Sequence, residues 1–222
     1  MRQSGFEVKP ALKALLGSKE FFDAGVVAAQ IKSPADLIIG FIREFEVSFP
    51  PEDQFLVGYG LGNFLATYLN NLQQNLGDPP DVSGWKAYYQ EPGFYKYWIN
   101  SDTLPKRVQY LDNLVNSGYT FSGFKMIPDV LTYVKKFASP ADPNALITEM
   151  VSRVLSISIS SAHQLQLKKD ILLGGQSEDY YWTNAWDTYL LAPSNVANTK
   201  YVSNAITGLI RYLLNLPEYQ LC

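Results

Sequence analysis

Apolar residues recur at helical spacing along almost the whole chain, and each run carries its own start and stop residues. Behind Asp142-Pro143, a capping carboxylate and then proline at the first helical position, Leu146, Ile147, Met150, Val151, Val154 and Leu155 fall on one helix face. Ser33-Pro34 opens a second such run through Leu37, Ile38, Phe41, Ile42 and Phe45. Val8 to Leu16, with Pro10 in its first turn and Gly17 at its end, predicts a short helix, and Ser18 a brief capped turn after it. Further helices are expected from about Glu52 to Leu76, from Asn100 or Ser101 to about Asn116, and from near Pro128. Two more are expected from Ser160 or Ser161 to Gly174-Gly175, and from Asn198 to Asn215 before Pro217. Convincing strands are scarce. Val154 to Ile159 alternates briefly, but the helical phase before it runs straight in. The pattern predicts an all-α, multi-helix globular bundle, a single α-helical domain over residues 1–222. One long aromatic, Pro/Gly-containing loop interrupts it at about residues 77–97.

Composition removes several function classes. With 47% hydrophobic residues in 222, the chain can bury a sizeable core. A net charge of -3 argues against a nucleic-acid partner, which calls for a basic excess. No window reaches the roughly 18 apolar residues of a transmembrane segment. The start, Met1 to Phe6, shows no apolar region of a signal peptide. The single Cys222 can form no internal disulfide and no thiolate cluster. With one histidine, His163, a zinc site of three or four His/Cys ligands is excluded by count. No phosphate loop, dinucleotide fingerprint or EF-hand loop is present. Gly58-Tyr59-Gly60-Leu61-Gly62 is only superficially like a phosphate loop, because no strand precedes it. We therefore expect neither a metal nor a cofactor. His163 follows Ser160-Ser161 in a predicted helix, where a surface or partly packed role outweighs a catalytic one.

The loop Gly77-Asp78-Pro79-Pro80-Asp81-Val82-Ser83-Gly84-Trp85, followed by Trp98-Ile99-Asn100-Ser101, is the most site-like segment. Pro79-Pro80 ends the preceding helix and forces an extended path. Asp81 is placed to accept backbone N–H groups in a turn, and Gly84 to permit that turn. Trp85 and Trp98 would anchor the loop by burial, each at roughly 1.5–3 kcal/mol. Arg107, near the loop's exit, would bond carbonyls or pair with Asp81. The candidate binding rim is Asp81, Trp85, Trp98, Asn100 and Arg107; a second set is Glu178, Asp179 and Trp182.

Aromatic residues make up 14% of the chain and crowd into two windows, Trp85 to Trp98 and Tyr180 to Tyr189. They serve either as sugar platforms or, the weightier reading, as rings packing loop onto helix. Asp78 with Asp81, or Glu178 with Asp179, would suit two-carboxylate glycoside chemistry. The plainer account places Asp81 in a turn and the second pair near a helix start, where the dipole favours negative charge.

These residues also carry a resemblance. Pro79-Pro80-Asp81-Val82-Ser83-Gly84-Trp85, Trp98-Ile99-Asn100-Ser101 and Lys106-Arg107 resemble the bacterial domain-of-unknown-function 1800 family. Leu12 to Leu16, Ser18 to Phe22, Ile31 to Pro34 and the ending Leu213 to Gln220 follow the same family in the same order. Members are typically about twice this long, so the resemblance implies a C-terminal portion whose partner would be a missing N-terminal half. It also implies an exported, periplasmic or cell-envelope bacterial protein with an envelope protein or a glycan as partner. The family has no established activity, so the resemblance assigns no catalytic residue. The function expected is a non-catalytic binding or scaffold domain; the alternative is a carbohydrate-active hydrolase using Asp/Glu with aromatic sugar subsites.

Overall fold

Several helix starts fall where the capping chemistry puts them. The computed structural model describes residues 5–85 and 94–222. Helix α1 is Val8–Leu16, closed by Gly17, and the turn after it has Phe21 N–H donating to Ser18 Oγ. Helix α2, Pro34–Glu44, begins with a reciprocal box: Ser33 Oγ accepts from Asp36 N, and Asp36 Oδ2 accepts from Ser33 N. Helix α3 is Phe55–Asn71 and helix α4 is Thr103–Asn116. After the short helix α5, Val130–Val134, come α6, Pro143–Val154, and α7, Ser161–Leu167, capped by Asp142 and Ser160. A π-helical turn, Lys168–Leu172, continues α7. Helix α8 is Tyr180–Leu191 and helix α9 is Val196–Asn215. The chain is thus a predominantly helical, multi-helix globular bundle.

Helix α9 is the axis of the packing. Its Val202, Ile206, Leu209, Ile210, Leu213 and Leu214 are buried, and α4, α5, α6 and α8 pack against it. Trp182 and Trp186 stack on the α8 side, while Phe41, Phe45 and Tyr133 join α2 to α5. Burial of Tyr133 and its 2.6 Å bond to Glu44 hold the phenol far above its usual range.

Two features depart from the expected helices. Helix α3 stops at Asn71, five residues short of Leu76, in a Schellman turn: Gln73 N–H donates to Asn70 O and Gln74 N–H to Leu69 O. The left-handed position of that turn is held by Gln73 (φ 71°) rather than by glycine. Helix α2 ends the same way on Glu46 (φ 48°), which pairs with Lys136. The second departure is a hairpin, β1 (Tyr119–Phe121) and β2 (Phe124–Met126), antiparallel with Tyr119 opposite Met126. Its two-residue turn, Ser122-Gly123, has both φ angles positive, which matches the twist of the flanking strands. The hairpin packs by its rings. Tyr119 stacks on Phe64 at 3.6 Å, and the Phe121 ring occupies the space a side chain on Gly60 would need.

Residues 30–32 and 220–222 are tied together. Ile31 bridges Leu221, Lys32 N–H donates to Gln220 O at 2.7 Å, and Cys222 N–H donates to Gln30 O at 2.9 Å. Behind this clasp α1 and the two short turns that follow it bury nothing. Phe6, Leu12, Leu15, Phe22 and Val26 are exposed.

Candidate functional site

The left-handed turn at Gln73 redirects the chain out of α3 and starts the loop. Its flanks are pinned: Leu72 and Gln74 are buried, and Gln74 Oε1 accepts from Ala35 N, a free N–H in the first turn of α2. Asn75 Nδ2 then donates to Asp78 Oδ2 at 3.0 Å. After Pro79-Pro80 the side chain of Asp81 accepts from Ser83 N at 2.7 Å, and its carbonyl accepts from Gly84 N. Gly84 sits at φ 88°, where its missing Cβ is what lets the turn close. The far side is a 3₁₀ turn, Phe94–Trp98, and the entry to α4. There Asn100 Oδ1 accepts from the backbone N–H groups of Asp102 and Thr103, both at 2.9 Å, and Thr103 Oγ1 donates to Trp98 O.

Between these two sides lies a cleft of about 590 Å³, lined by Trp85, Tyr97, Trp98, Pro80, Asp78 and the amides of Asn70, Gln73, Asn75 and Asn100. Asn100 Nδ2 donates across it to Gln73 Oε1 at 3.3 Å. Its lining joins aromatic faces to neutral donors and acceptors, with Asp78 as the one carboxylate among the described lining residues.

The structure places the expected rim residues in three different settings. Trp85, Trp98 and Asn100 come together on the cleft, with Trp98 buried and Trp85 half-buried. Asp81 is an exposed turn residue outside the described lining. Arg107 is no rim residue. It is fully buried in α4, with Nη2 donating to Lys32 O at 2.7 Å and Nη1 to Gln220 Oε1 at 3.2 Å. Of the two roles expected for it, carbonyl binding is the one realised. Burial pulls its pKa down to about 10, against the opposing field of Asp36.

The second set is spread out as well. Trp182 is fully buried, its indole N–H donating to Pro140 O, and so offers no face to a sugar. Asp179 bonds Lys168 and Asn144, and the Lys168 ammonium holds its carboxyl below the usual range. Glu178 is exposed beside it at the start of α8. Of the aromatic windows, Tyr88 and Tyr89 lie outside the described residues, while Trp186 and Tyr189 are buried and Tyr180 and Tyr181 exposed. His163 approaches Tyr212 at 3.0 Å, and Ser160 caps its helix by accepting from His163 N, which is a helix start and not a nucleophile with its base. Among the described residues no group of His, Cys, Asp or Glu is arranged to hold a metal ion, and no helix is long and apolar enough to cross a membrane.

Asn70, Gln73 and Asn75 were not expected at a site. Running α3 on to Leu76 leaves them on a helix face, and the turn that gathers them carries no glycine to announce it.

The family described as "Protein of unknown function (DUF1800)" matches residues 1–221. The chain belongs to the DUF1800 family. No curated protein and no solved structure matches it. The cleft of this DUF1800 chain is built from the same Pro-Pro-Asp-Val-Ser-Gly-Trp and Trp-Ile-Asn-Ser segments that carry the resemblance.

Proposed function

We propose that this chain is a non-catalytic carbohydrate-binding module whose ligand occupies the cleft between the end of α3 and the start of α4. The observation that carries this reading is the lining. Rings at Trp85 and Tyr97, over the buried Trp98, offer apolar faces of the kind that stack on sugars, beside four neutral amides able to serve hydroxyl groups. The hydrolase alternative needs two carboxyl groups across the ligand, and the described lining supplies Asp78 alone. Glu178 and Asp179 stand at α8, where Asp179 is committed to Lys168 and Asn144. The family resemblance supports an exported bacterial setting, in which the glycan would be an envelope component.

A glycan array followed by a hydrolysis screen tests the reading. The expected outcome is glycan capture without turnover, weakened about tenfold or more by Trp85→Ala. Turnover that disappears in Asp78→Asn would favour the hydrolase, and no capture of any glycan would remove both sugar readings.

A scaffold role has its own support in the exposed apolar side of α1, with Leu12, Leu15 and Leu16. A protein partner, or a further segment of a longer protein, would cover it there.

A further inference from the structure

We propose that the cleft selects a sugar carrying an acetamido group, and that Gln73 reads the carbonyl oxygen of that group through its side-chain N–H donors. The inference rests on the carbohydrate reading above and gives it a substrate class.

It starts from an amide whose orientation is fixed. Two backbone N–H groups, of Asp102 and Thr103, point at one end of the Asn100 side chain at 2.9 Å, and only an oxygen can accept them. The other end of Asn100 is therefore the NH2 group, a pure donor, and it faces Gln73. The atom of Gln73 that meets it must in turn be Oε1. Helix α4 thereby sets the orientation of Gln73 through Asn100, and leaves Gln73 Nε2, with two N–H donors, without a partner among the described residues. The backbone keeps the side chain there. Gln73 holds a left-handed conformation that glycine would occupy without strain, and its neighbours Leu72 and Gln74 are buried.

Acceptors stand in the same cleft. Asn75 spends its NH2 on Asp78 Oδ2, so among the described residues Asn75 Oδ1 and the second Asp78 oxygen remain. A secondary amide is the neutral group that matches this set. Its C=O takes the N–H of Gln73, its N–H serves an acceptor of Asn75 or Asp78, and its methyl lies on the rings of Trp85 or Tyr97. A carboxylate-bearing sugar would meet the charge of Asp78. A plain hexose offers hydroxyls that either side can bind and gains nothing from the fixed orientation.

The test titrates the chain by calorimetry with chito-oligosaccharide and with cello-oligosaccharide of equal length. We expect the acetamido oligomer to bind at least about tenfold more tightly. Gln73→Glu keeps an oxygen toward Asn100 but replaces the donor with a carboxylate oxygen, and should abolish that preference. Gln73→Gly deletes the amide and relaxes the backbone, so it should lose the preference while melting no lower than the parent. Equal affinity for the two oligomers, or a preference untouched in both variants, would overturn the role of the acetamido group and leave the carbohydrate reading standing. No binding of either oligomer would also overturn the role of the acetamido group, and the carbohydrate reading would fall with it only where the glycan array captures nothing.

Discussion

Arg107 is a cation sealed inside the fold without a carboxylate bonded to it. It joins α4 to Lys32 and to Gln220, and its Nε finds no partner among the described residues. Truncating it would open a cavity and strip a donor from two acceptors. We expect Arg107→Ala to cost about 3 kcal/mol or more in denaturant unfolding. Arg107→Met should cost less, because it refills the volume and removes the charge whose burial is unfavourable. Equal losses in the two variants would mean that the hydrogen bonds, not volume and charge, carry the effect. From the sequence, Arg107 stood two residues after Pro105 beside a suggestive loop, which made a rim residue of it. Nothing local foretells that residues 32 and 220 close over its head group, since that contact spans the whole chain.

Elements followed from the sequence where their signals were local. The caps at Ser33 and Asp142 and the glycine at position 17 placed helix ends to within a residue or two, because caps act within one turn. The hairpin was missed because each strand has three residues, too few for an alternation to register. The early stop of α3 was missed because its left-handed residue is Gln73. The three glycines of α3 acquire different meanings in the fold. A methyl on Gly60 would collide with the Phe121 ring, whereas one on Gly62 meets open space. Removing a helix glycine is worth about 1 kcal/mol. We therefore expect Gly62→Ala to stabilise by about that much and Gly60→Ala to gain little or lose. In a Phe121→Ala background Gly60→Ala should recover the gain, read as a coupling in a double-mutant cycle of thermal unfolding. Strict additivity would show that the ring does not set the cost.

Among the described residues, burial holds Tyr133 and Tyr219 neutral most strongly. Tyr133 is raised by burial and by Glu44, and Tyr219, almost wholly buried beneath the Lys32 ammonium, is raised by burial first and then by Glu44. In the unfolded chain both phenols ionise near pH 10. The folded state then binds more protons, so their contribution is complete below about pH 10 and is lost as pH rises beyond it. Arg107 and Lys32, lowered by burial, act in the opposite sense over the same range. We expect the phenols to prevail, giving a melting temperature that falls between about pH 10 and 12, and falls less in Tyr133→Phe. An unchanged slope in that variant would assign the fall elsewhere. At this scale the bundle and its helical core were legible in the sequence, while the cleft was half legible. Trp85, Trp98 and Asn100 stood out by residue type, and the amides from the end of α3 did not, because only the turn brings them across.

The pairing of residues 30–32 with 220–222 also fixes where the bundle is held. The chain at Gln30 and the chain at Cys222 pass through neighbouring points, joined by their own backbone hydrogen bonds. Anything attached on either side leaves from the same corner, next to the buried guanidinium of Arg107. A tether there would grip the bundle at one spot rather than across its length.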